Sequence, residues 1–248
     1  NKIDFCRKLK LNENYPIVLV LAHELTDGNL NNKWNIFNNA MFFLKETLIK
    51  IKKLKKINWI IKPHPSEEFF NSKITTHTLF NNYAQNFENI RLLPKNYIIK
   101  KPKKIYHCAI TSHGTAGYEY PSLGIPTIIC GDTPYSQLGF NLEPKNKNEY
   151  FLLLDKIKYL KKLKKKQIIK SKLFYYLYNE IFVVKNPLMH ETDITMNFNK
   201  KEFWTRSISN LKSINDDNHF TNCVNHLINS NNSFLIDIEK DFIRNGKF

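Results

Sequence analysis

Glycine is scarce, with seven in 248 residues, and past about residue 145 it vanishes until Gly246. No G-x-x-x-x-G-K-S/T loop and no G-x-G-x-x-G fingerprint can be written from those seven, so two common nucleotide-binding loops are excluded. Cysteine is limited to Cys6, Cys108, Cys130 and Cys223, and no C-x-x-C pair occurs. Cys108 and Cys130 lie in apolar runs, where free cysteine behaves as a small core residue. A reducing, cytoplasmic setting is expected, without structural disulfides or a zinc site. No apolar run approaches the ~18 residues that span a bilayer. No charged-then-apolar leader follows the first residue, so no signal peptide is expected. That residue is Asn1 and not Met. A fragment is expected on that ground, with an N-terminal domain or partner subunit elsewhere.

Acid is also in short supply. Lys plus Arg number 38 against 22 Asp plus Glu, a formal net charge of +16. Such a balance invites nucleic acid or an anionic membrane as partner. Much of the lysine sits in helix-like runs, IKIKKLKK (49–56) and IKYLKKLKKKQIIKSK (157–172), which read first as solvated helix faces. No RNP-like aromatic pattern or zinc-finger spacing accompanies them. Nucleic acid is therefore not expected, while a basic face on anionic lipid stays open.

What is present is a globular composition, 42% hydrophobic and 13% aromatic. YPIVLVLA (15–22) is a continuous β-branched run, as in a strand buried on both faces. INWIIK (57–62), NIRLLP (89–94), YHCAIT (106–111) and IPTIIC (125–130) repeat the signal. A helical pattern fills about 35–56. Strands alternating with helices predict an α/β, Rossmann-like, mainly parallel sheet. Beyond residue 145, helical patterns dominate at 148–165, 166–185, 200–213 and 217–231. Two parts are expected: a nucleotide-binding domain over 1–145, and a helical C-terminal region over 146–248 packed on it.

In open α/β sheets, ligands sit at the carboxyl ends of strands. Four polar loops follow predicted strands there, and three of them carry a histidine. AHELTDGN brings His23, Glu24 and Asp27, candidate acid/base or sugar-binding groups. KPHPSEE brings Lys62 and His64 between Pro63 and Pro65. The prolines stiffen the backbone around an imidazole able to donate to phosphate or take a proton. The plain alternative is a turn with Ser66 as N-cap and Glu67 and Glu68 in the first helical turn. TSHGTAG brings Ser112, His113, Gly114 and Thr115 to a helix start, where hydroxyls and amides favour phosphate. Its plain alternative is an N-capped turn. Glu119 follows as a candidate ribose acceptor. Pro121 clashes with the carbonyl of Gly117, which predicts a short or irregular first turn. CGDTPYSQLGF adds Tyr135 and Ser136 as candidate cleft residues. No acidic metal-binding cluster is evident.

KPHP followed by SHGTAGYEYPSLGIPTIICGDTPYSQLGF resembles the nucleotide-sugar-binding half of bacterial capsule and lipopolysaccharide glycosyltransferases. These include capsular polysaccharide proteins related to Kdo transferases and bacterial sialyltransferases. The resemblance covers about residues 15–145, in order and spacing of motifs. It implies a GT-B architecture whose C-terminal Rossmann-like half holds the donor. It implies His64 and Pro65 of an HP motif, with Ser112, His113, Gly114 and Thr115, on the phosphate of a nucleotide sugar. A CMP-sugar is favoured, a UDP-sugar is the alternative, and no metal is expected. The implied acceptor is a surface polysaccharide or lipid-linked glycan at the inner face of the membrane. The chain departs from the pattern in having one Rossmann-like unit, so His23 or Asp27 is the candidate for the missing base. Two other readings stand beside it: a non-catalytic nucleotide- or glycan-binding module, and a glycerophosphotransferase using CDP-glycerol.

Overall fold

The computed structural model describes residues 1–25, 36–67, 73–181 and 201–212, with residues 221, 224, 225, 228 and 229. Five parallel strands form one sheet in the order β3-β2-β1-β4-β5. They are β1 (Ile17–Leu21), β2 (Asn58–Lys62), β3 (Ile90–Leu92), β4 (Cys108–Thr111) and β5 (Thr127–Ile129). β1 pairs β2 from Ile17 opposite Asn58 to Leu21 opposite Lys62. On its other side it pairs β4 from Val18 opposite Cys108 to Leu21 opposite Thr111. Chain order reverses between β1 and β4, so the α/β, Rossmann-like expectation holds.

Both faces of the sheet are buried, which is why its strands read as unbroken apolar runs. Side chains alternate across a strand. Val18, Val20, Trp59, Ile61, Cys108 and Ile110 therefore fall in one cluster. Ile17, Leu19, Ile60 and Ala109 fall in the other. The first cluster is closed by α2 (Ala40–Ile51), α3 (Thr76–Tyr83) and α5 (Lys147–Lys156), through Phe43, Leu44, Leu48, Leu79, Tyr150 and Leu154. The second is closed by α1 (Lys2–Leu9) and α4 (Ala116–Ser122), through Phe5, Cys6 and Tyr120. Cys6, Cys108 and Cys130 are free and buried; Cys223 lies outside the described residues.

Local chemistry sets where the helices begin. α1 was not expected, yet it is signed by a capping box: the Asn1 side chain accepts from the Asp4 amide while Asp4 reaches back. Past Ser66, the Glu67 amide donates to the His64 carbonyl at 3.2 Å, and the next described helix, α3, begins at Thr76. Thr75 caps it by accepting from the Thr78 amide at 3.1 Å. Glu67, expected inside a first turn, uses its carboxylate to accept from the Thr76 amide at 2.5 Å. A carboxylate expected in its own first turn thus also caps a helix nine residues on.

A first compact unit runs from Asn1 to Phe174 and a second from Tyr175 to Phe248. The first unit thus extends past the expected boundary at residue 145. The reason is packing: Tyr150, Leu154 and Ile157 are buried in the first cluster, and Tyr150 shares a 2.8 Å hydrogen bond with Thr47 of α2. α6 (Lys165–Tyr176) starts in the first unit, and α7 (Lys201–Lys212) belongs to the second. No helix among the described residues is long and apolar enough to cross a membrane.

If α5 is core to the sheet, Leu154→Ala should cost about 2–5 kcal/mol of unfolding free energy. Urea denaturation checks this. A loss under about 0.5 kcal/mol, as at surface positions, would put α5 outside the core.

Candidate functional site

The three loop histidines converge. His23 follows β1, His64 follows β2 and His113 follows β4, three strands adjacent in the sheet. The His23 ring stacks on His64 with centroids 5.9 Å apart and an interplanar angle of 24°. It meets His113 edge-on at 5.7 Å and 78°. His23 is the middle ring because β1 is the middle strand. All three are half-buried and so reach solvent. They stand at the carboxyl edge beside the point where chain order reverses.

Backbone partners fix the tautomers of two of these rings in their neutral form. The Ser66 amide can only donate, and it points at His64 Nδ1 at 3.3 Å. Ser66 Oγ lies 2.6 Å from the same nitrogen. Nδ1 of His64 is therefore an acceptor and its proton sits on Nε2. The Glu24 carbonyl can only accept, and it lies 3.0 Å from His23 Nδ1. His23 therefore carries its proton on Nδ1 and keeps a lone pair on Nε2. As neutral rings, the two stacked imidazoles thus carry opposite assignments: Nε2 is a donor on His64 and an acceptor on His23.

The loop after β4 is braced from behind. Thr111 Oγ1 donates to the His113 carbonyl at 2.5 Å. Tyr135 is buried among Tyr118, Ile129, Phe140 and Phe174, and its hydroxyl donates to the Gly114 carbonyl at 2.5 Å. A β-carbon on Gly117 would collide with the Tyr135 ring, and one on Gly131 would collide with the His113 imidazole. Glycine is required at both so that a ring can lie on the backbone. Burial pushes the Tyr135 phenol's pKa up, with nearby Tyr118, Glu119 and Glu143 adding to it, so it stays a neutral donor. Ser112 is fully buried, and among the described residues its hydroxyl has no hydrogen-bond partner.

The remaining candidates take other positions. Lys62 ends β2, and its ammonium donates to the Lys95 carbonyl at 3.2 Å, beyond the end of β3. Pro65, Gly114 and Thr115 are exposed. Thr115 makes no side-chain cap on α4, so the loop is not the ordinary N-capped turn. α4 spans seven residues with Pro121 inside it, as the proline clash predicts. Its first turn is tight, with the Gly117 amide on the Gly114 carbonyl at 3.2 Å. Glu119 is half-buried on that helix. Ser136 spends its hydroxyl inside a turn, on the Thr133 amide and hydroxyl, both at 3.0 Å. Asp27 and Glu68 lie outside the described residues. No group of three or more His, Cys, Asp or Glu among the described residues has metal-holding geometry.

Sequence reasoning missed Gly131 and Thr111, which seat His113. The signal for Gly131 was a glycine directly after the IPTIIC run. A cavity of about 790 Å³ lies elsewhere, along edge strand β3 beside Phe80, Phe87 and Leu92. It meets the His64 loop only through Pro63 and Glu67.

No protein-family model and no curated protein sequence matches the chain. Solved structures do resemble it. A UDP-GlcNAc 2-epimerase from Neisseria meningitidis bound to UDP-GlcNAc is 15% identical, with a TM-score of 0.42 over 68% of this chain and 42% of that one. The S. aureus MnaA–UDP structure is 12% identical, with a TM-score of 0.44 over 74% and 50%. A glycosyltransferase from Rickettsia africae is 13% identical, with a TM-score of 0.39 over 93% and 52%. The match spans about half or less of the length of each of these structures.

Burial of Lys62 disfavours its charged form, so its pKa is lowered from the ordinary lysine value. Between the folded and unfolded pKa values the unfolded chain binds more protons. Stability contributed at this residue therefore rises with pH through that window, toward ~10.4. Lysine-selective NMR titration should show Lys62 releasing its proton below ~10.4, and Lys62→Met should remove that rise.

Proposed function

We propose that the histidine edge is the donor site of a glycosyltransferase, holding the phosphate of a nucleotide-activated sugar. The single observation that carries this reading is the convergence of His23, His64 and His113 at the carboxyl edge where chain order reverses. Ligands of open α/β sheets bind at that point. The KPHP and SHGTAG motifs supply the two outer rings, and they carry the resemblance to capsule and lipopolysaccharide glycosyltransferases. A CMP-sugar of the Kdo type is the favoured donor, with a UDP-sugar as the other candidate. The acceptor is a hydroxyl of a surface polysaccharide or lipid-linked glycan.

The two tautomers divide the work. His64 donates Nε2–H to a phosphate oxygen of the donor. The flanking prolines hold that ring in place, so little ordering is lost on binding. A buried hydroxyl without a partner, as at Ser112, is a standing cost of about 1–3 kcal/mol. A ligand oxygen reaching the floor of the loop would remove it. His23 Nε2 takes the proton from the acceptor hydroxyl as that oxygen bonds to the anomeric carbon. The bond from that carbon to the phosphate oxygen breaks, and the nucleotide leaves with the electron pair. His64 stabilises the charge that develops there. His113, seated on Gly131, closes the far side.

A thermal-shift series with CMP, CDP, UMP, UDP and GDP tests the reading, because a ligand of the folded state raises its melting temperature. CMP should raise it for the unaltered chain and for His23→Ala, and should fail to do so for His64→Ala. Far-UV circular dichroism should be the same for all three. His23→Ala should lose transfer by roughly a hundredfold or more, as for a general base. A response to UDP alone would change the donor class. A series without any response would overturn the donor-site reading.

A further inference from the structure

Helix α6, Lys165–Tyr176, is apolar on two opposite sides. Its inner side is accounted for within the first unit. Ser171 is buried and donates to the Tyr118 carbonyl at 2.6 Å. Phe174 packs on Tyr118 and Tyr135 with centroids 5.3 and 5.7 Å apart. Ile168 lies against Gly124. The outer side carries Ile169 and Leu173, each 53% exposed. Four residues apart on a helix, they form one ridge. Helical spacing sets Lys165 and Lys172 along one flank of that ridge and Lys166 and Lys170 along the other, all of them exposed. From Lys156 to Asn179 there are nine lysines and no Asp or Glu. In the same stretch Tyr159 is 71% exposed, with the Lys158 ammonium 4.7 Å above its ring.

We propose that this outer face of α6 docks on a bilayer containing anionic phospholipid. Two features select that partner. The unbroken positive charge complements a surface of negative headgroups, to which each lysine adds attraction. The apolar ridge between the lysines fits the headgroup–acyl boundary, with the lysine stems lying along it and their ammonium groups reaching the phosphates. A nucleic-acid backbone would pair with the lysines but leave Ile169 and Leu173 uncovered. The inner side then gives docking a purpose. α6 grips Tyr118 of α4 and the aromatic group around Tyr135, whose hydroxyl holds the Gly114 carbonyl. This rests on the donor-site reading: a chain held by α6 is anchored through the helix that packs on the aromatic group behind the Gly114 loop.

Co-sedimentation of the full chain with vesicles tests this. The chain should bind vesicles of phosphatidylcholine mixed with phosphatidylglycerol, bind phosphatidylcholine alone far less, and lose binding as salt is raised. Ile169→Ser/Leu173→Ser should weaken binding to the mixed vesicles by about tenfold or more, since apolar burial contributes to interfacial binding. Lys165→Glu/Lys166→Glu should weaken it similarly, and serves if the serine pair lowers the melting temperature. Both pairs should keep the nucleotide response of the unaltered chain, so failure here is distinct from failure of the donor-site reading. Several outcomes overturn the proposal: no vesicle binding; binding to RNA in its place; binding that survives both pairs; binding lost with Trp204→Ser in α7 but not with the α6 pairs; or a dimer that the serine pair disperses.

Discussion

Everything in the candidate site depends on β1 being the central strand. It is hydrogen-bonded in parallel to β2 on one side and to β4 on the other. The chain leaves β1 toward β2 and returns to its other side at β4. The loops at that reversal therefore diverge and leave an opening above the strand end. His23 stands in that opening because it lies two residues past Leu21. His64 and His113 flank it because their strands flank β1. The register of three strands, set by apolar burial on both faces, delivers three rings to one place.

The loops themselves divide into those that present and those that support. The loops after β1, β2 and β4 each present an imidazole. The loop after β5 lies one strand further out, and its groups face the loop next to it. Tyr135 holds Gly114, Ser136 closes its own turn, and Gly131 lies under His113. Rigid packing behind a binding loop matters because a ring ordered in advance costs less to engage. The buried aromatic group of Tyr118, Tyr135 and Phe140 supplies that rigidity next to the most exposed glycine of the loop.

Much of this was legible in the sequence. Five apolar runs without polar alternation read as strands covered on both faces, and the strand-end loops named all three histidines. What was not legible has physical causes. The loss of glycine and gain of helix past residue 145 do not tell which helices pack on the sheet, and Tyr150 and Leu154 belong to its core. Glu67 follows Ser66 as a first-turn acid does, and spacing does not reveal that its carboxylate also caps a helix nine residues on. Tyr135 and Ser136 read as candidate cleft residues because they are polar groups at a strand end. Their hydroxyls are used by nearby groups, Gly114 and Thr133, and periodicity carries no information about that. The tautomers of His23 and His64 depend on single backbone partners, which only coordinates reveal.

The shortage of glycine can be viewed from the other direction. Of the five that the structure describes, two lie where an aromatic or imidazole ring occupies the space of a missing methyl group. At Gly117 and Gly131 the backbone is a socket, and each socket receives one ring. The histidine edge is thus calibrated by atoms that are not there. A drift to alanine at either position would leave every functional group of the site in the sequence while moving the surface on which those groups are aligned.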